Sequence, residues 1–169
     1  MIKMTNPLDL LLTIAKEKHV GDKWTNQPLY LVKILANSSK GDLAEEFIMT
    51  YCRELGFTVE EGASRLGDYD LEINNKKFEI KMATEDLIGN FQFNHIRYDY
   101  KYDWVLCLGV SPAELRFEIY SKADVATGKA GSLVSMGRGQ NSSFKLTKPK
   151  NTLLPISEFN DKIKSCFEN

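Results

Sequence analysis

The chain has 169 residues, 43% of them hydrophobic and 27% charged, with a formal net charge of −1. That is enough apolar material for one compact core, and the charge balance argues neither for nor against a nucleic-acid partner. Three widely spaced cysteines (Cys52, Cys107, Cys166) and two isolated histidines exclude a disulfide framework, a zinc ribbon and a His-rich metal site. No stretch approaches a membrane span, and the apolar run from Leu8 to Ala15 is broken by Asp9 with no clear cleavage site after it. The expected setting is a reducing cytoplasm, away from membranes.

In chain order, Pro7 to Lys18 reads as an amphipathic helix and Gln27 to Asn37 as a second, with Leu29, Leu31, Val32, Ile34 and Leu35 on its apolar side. Ser39, with Asp42 three residues on, approximates a capping box for a helix that ends near Gly56. Leu43, Ala44, Phe47, Ile48, Tyr51 and Leu55 form its buried stripe. Phe57 to Glu61 reads as a strand, Tyr102 to Val110 as a buried central strand and Leu115 to Tyr120 as another. Ser121 caps a short helix to Ala126, Phe144 to Leu146 is a late strand, and a terminal helix capped by Ser157 runs to Phe167. The order predicts an α/β fold with a central mixed sheet flanked by helices.

The chemistry concentrates where two short alternating segments meet. Asp70-Leu71-Glu72-Ile73 is followed by Asn74-Asn75 and then by Lys76-Lys77-Phe78-Glu79-Ile80-Lys81-Met82. Asn tolerates positive φ, so Asn74-Asn75 makes a two-residue hairpin turn that places Asp70 opposite Glu79 and Asp68 opposite Lys81. Asp70, Glu72, Glu79 and Lys81 share one face; Leu71, Ile73, Phe78, Ile80 and Met82 share the other. Facing carboxylates destabilise a strand pair, and a cation between them relieves the conflict. Carboxylate oxygens at that separation suit Mg²⁺, and Lys81, one pleat on, reaches toward a water or a phosphate.

At these residues the chain resembles the PD-(D/E)XK, or restriction-endonuclease-like, nucleases. The motif is Gly67-Asp68-Tyr69-Asp70, eight residues, then Glu79-Ile80-Lys81, with Tyr69 where the family name shows Pro. The resemblance implies a restriction-endonuclease-like core in which Asp70, Glu79 and the Ile80 carbonyl hold Mg²⁺ (with Mn²⁺ as a substitute) and Lys81 orients or activates water. The hairpin register favours Asp70 over Asp68 as the ligand. Gly41-Asp42-Leu43-Ala44-Glu45 resembles the family's first helix, whose glutamate reaches toward the metal; Glu45 reads equally as an ordinary acid favoured by the helix dipole, and Glu46 is the weaker candidate.

Phe91 to Arg97 is similar to a segment that follows the E-x-K strand in many restriction enzymes, and it offers Gln92, Asn94, His95 and Arg97 to phosphates or base edges. Singly, each has a plainer reading, such as Arg97 paired with Asp99. From Thr127 to Asn151 there are five basic residues and no acid, with Arg138, Gln140, Asn141 and Lys145 suited to reading bases.

The expectation is thus one nuclease domain over residues 1–169: an N-terminal helical region (1–38) suited to a dimer interface, a catalytic core (39–126), a basic recognition loop (127–151) and a C-terminal helix (152–169). The expected activity is Mg²⁺-dependent hydrolysis of double-stranded DNA, most like a type II restriction endonuclease and working as a homodimer. The alternatives are a structure-selective or repair nuclease (a junction resolvase or nicking enzyme), the cleavage subunit of a heteromeric enzyme, and a catalytically silent DNA-binding domain.

Overall fold

The computed structural model describes residues 6–18, 22–62, 68–97, 99–137 and 143–168. Its helices are α1 (Pro7–Lys18), α2 (Tyr30–Ile34), α3 (Asn37–Glu54), α4 (Lys122–Ala126) and α5 (Phe159–Ser165). Its strands are β1 (Val59–Glu61), β2 (Leu71–Ile73), β3 (Lys76–Thr84), β4 (Asn90–Ile96), β5 (Trp104–Val110), β6 (Leu115–Ser121), β7 (Leu133–Ser135), β8 (Phe144–Pro149) and β9 (Leu154–Pro155). A six-stranded sheet runs in the order β1-β2-β3-β5-β6-β9, and a three-stranded sheet in the order β4-β8-β7. The large sheet is mixed: β3 and β5 are parallel, and every other pairing in it is antiparallel.

Alternation along the two central strands builds two cores. Phe78 and Ile80 of β3, with Leu106, Leu108 and Val110 of β5, face α3 and α5 and pack on Ala44, Ile48, Cys52, Phe159 and Ile163. The intervening Ala83, Val105 and Cys107 face the small sheet, where Phe91, Phe93, Ile96 and Leu146 close over them. A strand buried on both faces reads as a continuous apolar run, which is why Trp104 to Val110 is uninterrupted. Gly109 permits the close approach, since a Cβ there would lie 2.9 Å from the Phe91 ring. All three cysteines are buried free thiols.

Several expectations shift. Helix α2 is shorter than Gln27 to Asn37, and Leu31 and Ile34 are exposed rather than buried. Helix α3 begins at Asn37 with Ala36 as an N-cap that makes no side-chain bond, so no capping box forms at Ser39. The terminal helix starts at Phe159 after a single 3₁₀ turn, and Ser157 does not cap it. Ser121 does cap α4, its hydroxyl accepting from the Asp124 N–H at 3.0 Å. Helix α1 spans the expected residues but buries none of them.

The largest departure is the segment 127–151. It carries β7 and β8, which pair with each other while β8 also pairs with β4, so its described residues supply two of the three strands of the second sheet rather than a loop. Two of its five basic residues are absorbed structurally: Lys148 donates to the Ala130 carbonyl at 2.8 Å, and Lys150 pairs with Glu114 at 2.6 Å. Among the described residues, no helix is long and apolar enough to cross a membrane.

Candidate active site

The hairpin forms in the expected register, with Leu71 opposite Phe78, Glu72 opposite Lys77 and Ile73 opposite Lys76. Asn74 and Asn75 take φ of 45° and 65°, the pair of left-handed residues that a type I′ turn requires. Asn74 is also stitched to the neighbouring chain, accepting from the Thr58 N–H at 2.9 Å through Oδ1.

Asp70 corrects the expected pairing. It does not continue the ladder opposite Glu79: β2 begins at Leu71, and the Asp70 N–H donates to the Phe78 carbonyl. Its carboxylate crosses to β3 instead, where Oδ2 accepts the Ile80 N–H at 2.7 Å. Among the described residues, no strand pairs with this edge of β3 beyond Leu71. The N–H and C=O of one strand residue point the same way, so the Ile80 carbonyl opens on the same side as the N–H that Asp70 takes. Gly62 locks this arrangement from β1: its N–H donates to the Asp70 carbonyl at 2.8 Å, and a Cβ there would collide with the Tyr69 carbonyl oxygen.

Glu79 and Lys81 lie on the face of β3 opposite its helix-facing residues, and they pair at 2.6 Å. Glu79 is only 5% exposed. Burial raises its pKa and Asp70 adds to the rise, against the pull of Lys81. Burial likewise raises Asp70, opposed by its bond from Ile80 and by Lys81. Glu45, in the third turn of α3, is pushed up to about 7, first by burial and then by the charges of Asp70, Asp42 and Glu79. Three carboxylates therefore crowd a desolvated pocket that holds Lys81 as their main counter-charge.

Two cavities open from this cluster. One, of about 280 Å³, is bounded by Glu45, Asp70, Ile80 and Lys81 together with Lys40, Asn94 and His95. The other, of about 430 Å³, is acidic, reached by Asp42, Glu46 and Glu61 beside the shared Glu45 and Asp70. The structure thus gathers Asp70, Ile80, Lys81, Glu45, Asn94 and His95 around one cavity; Glu79 and Asp68 are outside the lining of both, Glu79 being joined to the cluster through its ion pair with Lys81.

The remaining candidates stand apart. Gln92 is exposed on β4 opposite Thr147, and Lys145 sits on β8 opposite Val134. Arg97 is engaged with Asp99, at 2.7 and 3.1 Å, and lies over the Tyr100 ring, so its plainer reading holds. Arg138, Gln140 and Asn141 lie outside the described residues.

Lys40 was not among the expected site residues. Its signal was present: a lysine in the first turn of a helix opposes the dipole. Burial, with the neighbouring charge of Lys33, lowers its pKa.

As a donor set, Asp70, Glu79, Glu45 and the Ile80 carbonyl offer hard oxygens only, with an excess of negative charge. That fits a hard divalent cation that keeps several waters. Among the described residues, no three His, Cys, Asp or Glu side chains converge into a ready-made cage. An ion here would be held by two or three carboxylates, one carbonyl and solvent.

No family profile and no curated protein matches the chain. Among solved structures, a bacterial homing endonuclease is similar over 68% of this chain and 75% of its own, at 16% identity and a TM-score of 0.45. A likeness that slight carries no functional weight, which rests instead on the geometry of the hairpin and its neighbours.

Proposed function

We propose that this chain is a Mg²⁺-dependent endodeoxyribonuclease of the PD-(D/E)XK type, hydrolysing phosphodiester bonds of double-stranded DNA, and most like a type II restriction enzyme. One observation carries the reading: Asp70, Ile80, Lys81 and Glu45 line one cavity, Glu79 is buried just behind it on Lys81, and these carboxylates are under-compensated.

Asp70, Glu79 and the Ile80 carbonyl would hold Mg²⁺, which supplies electrostatic stabilisation of the charge that develops on the phosphoryl oxygens. Lys81, anchored on Glu79, orients the attacking water and meets a non-bridging oxygen. Lys40 and Asn94, across the same cavity, bind the phosphodiester backbone. Gln92 and Lys145, on the second sheet, contact the duplex beside the cut, and Arg138, Gln140 and Asn141 are further candidates for base contacts.

Helix α1, with Leu8, Leu11 and Leu12 at 64%, 68% and 49% exposure, favours an assembly: a homodimer that places one site on each strand, or the cleavage subunit of a larger enzyme. Sedimentation of the full chain separates these.

The test is digestion of unmethylated phage DNA with Mg²⁺ and with EDTA, comparing wild type with Lys81→Ala. Discrete Mg²⁺-dependent fragments, absent in the variant, are the expected result. Cleavage that survives both EDTA and Lys81→Ala would overturn the assignment. Nicks alone, or cleavage confined to branched DNA, would move it to a structure-selective enzyme.

A further inference from the structure

The second sheet contributes a feature that the hydrolysis reading has not used. Phe93 of β4 pairs with Leu146 of β8 and Ile96 with Phe144, so three steps along β4 match two along β8. The extra residue is a bulge. Burial shows its effect: Phe91 and Phe93 point inward and Gln92 outward, then Asn94 and His95 are both exposed before Ile96 turns in again. His95 adopts φ of 57°. That left-handed backbone costs a side-chain-bearing residue roughly 1 kcal/mol or more, and such strain gathers at functional sites. Bulges of this kind re-aim a side chain. Here the outcome is that His95 and Asn94 join the cavity bordered by Lys40, Glu45, Asp70 and Lys81.

The imidazole is held as well as aimed. Nδ1 lies 3.1 Å from Ser143 Oγ, 48 residues away and just before β8, and the backbone N–H reaches Met136 Sδ at 3.4 Å. Among the described residues Nε2 has no hydrogen-bond partner. With Nδ1 engaged by Ser143, Nε2 is the ring nitrogen left to hand a proton to the cavity.

Phosphodiester hydrolysis needs a proton for the departing sugar oxygen. Lys81 is tied to Glu79 at 2.6 Å, and the carboxylates occupy the α3 and β2–β3 walls. In an in-line displacement the leaving oxygen lies opposite the attacking water, and the wall across from those groups is β4. We infer that His95 is the general acid of this site, a role that rests on the proposed phosphodiesterase chemistry. Water oxygen bonds to phosphorus as the bond to the bridging oxygen breaks. The bonding pair goes to that oxygen, which takes the Nε2 proton. The proton shed by the water passes to solvent, and imidazole regains one from solvent.

The experiment uses the full chain with Mg²⁺ and a duplex containing a cut site mapped on phage DNA. A second duplex carries sulfur in place of the leaving oxygen, on the side that the wild-type end groups identify. Asn tolerates positive φ, so His95→Asn keeps the bulge while removing the acid, and His95→Gly is its backbone control. Both should keep the wild-type melting temperature. On ordinary DNA the turnover of His95→Asn should fall about 100-fold. On the sulfur duplex it should fall less than about threefold, because a thiolate departs without a proton. Ser143→Ala, which loosens the ring, should show the same pattern more weakly. Equal falls on both duplexes, or no fall on ordinary DNA, overturn the acid role while leaving the nuclease reading intact. A wild type that cuts no DNA overturns both.

Discussion

Glu79 and Glu85 are equally buried acids, 5% and 7% exposed, six positions apart on and just after the same strand. Glu85 is held by Lys23 at 2.7 Å and Lys150 at 3.4 Å. Burial alone would raise its pKa, but the bond from Lys23 and the charges of Lys150 and Lys23 together bring it below the ordinary value. Glu79 has Lys81 as its single ion-pair partner among the described residues and faces Asp70 besides, so its pKa moves up. One acid ties the segment at Lys23 to the sheet; the other sits in a pocket whose charge is incomplete. Burial therefore does not separate a structural carboxylate from a functional one, whereas the balance of cations around it does.

The strongest test of that contrast is to neutralise each acid in turn. Glu79→Gln and Lys81→Ala should each lower the DNA-cleavage rate by about 1,000-fold or more. Glu79→Gln should leave the metal-free fold as stable as wild type or more so, since it removes a repulsion. Glu85→Gln should do the reverse, costing about 1–3 kcal/mol in denaturant unfolding by stranding Lys23 while Lys150 keeps Glu114, with cleavage within a fewfold of wild type. Equal losses of stability from the two glutamines, with cleavage intact in both, would reduce Glu79 to a structural residue.

The two acids also oppose each other in pH. Glu45, Asp70 and Glu79 all hold their protons more tightly when folded. Their contribution is full below the unfolded pKa and is lost as pH rises. For Glu45 that window runs from the ordinary 4.5 to about 7. Glu85, shifted down, contributes above its ordinary value and is lost in acid. Melting temperature measured without metal should fall between pH 5 and pH 7.5, and Glu45→Gln should flatten that fall. Mg²⁺ added at pH 7.5 should restore stability in wild type and less in the variant, because binding to the folded state alone raises its stability. A rise in melting temperature over that range without metal would contradict the charge imbalance.

A subtler probe moves a ligand without removing it. Gly62→Ala would push a methyl group into the Tyr69 carbonyl and displace Asp70 from the Ile80 N–H. Cleavage should fall about 10- to 100-fold, since misplacement of about 1 Å at a reacting centre costs that much. The Glu85 network, fixed by other elements, should be indifferent, so the stability loss should stay small beside the loss of rate.

What the sequence disclosed follows from how local each cause is. The hairpin register needed only alternation and two asparagines, and the structure keeps it from Ile73 to Leu71. The departure of Asp70 depends on Gly62 and on where β2 ends, which no period reveals. The face carrying Asn94 and His95 is set by pairing with β8, some 50 residues on, so the broken alternation of Phe91 to Ile96 gave no clear strand signal. Lys148 and Lys150 read as free cations because their partners, Ala130 and Glu114, come from other parts of the chain.

The smallest expected effect lies at the turn that joins β2 to β3. Asn74 is bonded to Thr58 through both its backbone and its side chain, whereas Asn75 contributes its φ of 65°. Asn75→Ala should cost about 1 kcal/mol, the penalty of a β-carbon in the left-handed region. Asn75→Gly should be neutral or stabilising by a few tenths of a kcal/mol, since Asn-Gly is the preferred type I′ pair. Both follow from urea unfolding midpoints. In both variants the cleavage rate per folded molecule should stay at the wild-type value, because Asp70 is fixed to Ile80 and Gly62 independently of the turn. A rate that tracked the turn instead would mean that the carboxylate spacing is tuned by hairpin twist, and the site would be softer than its hydrogen bonds imply.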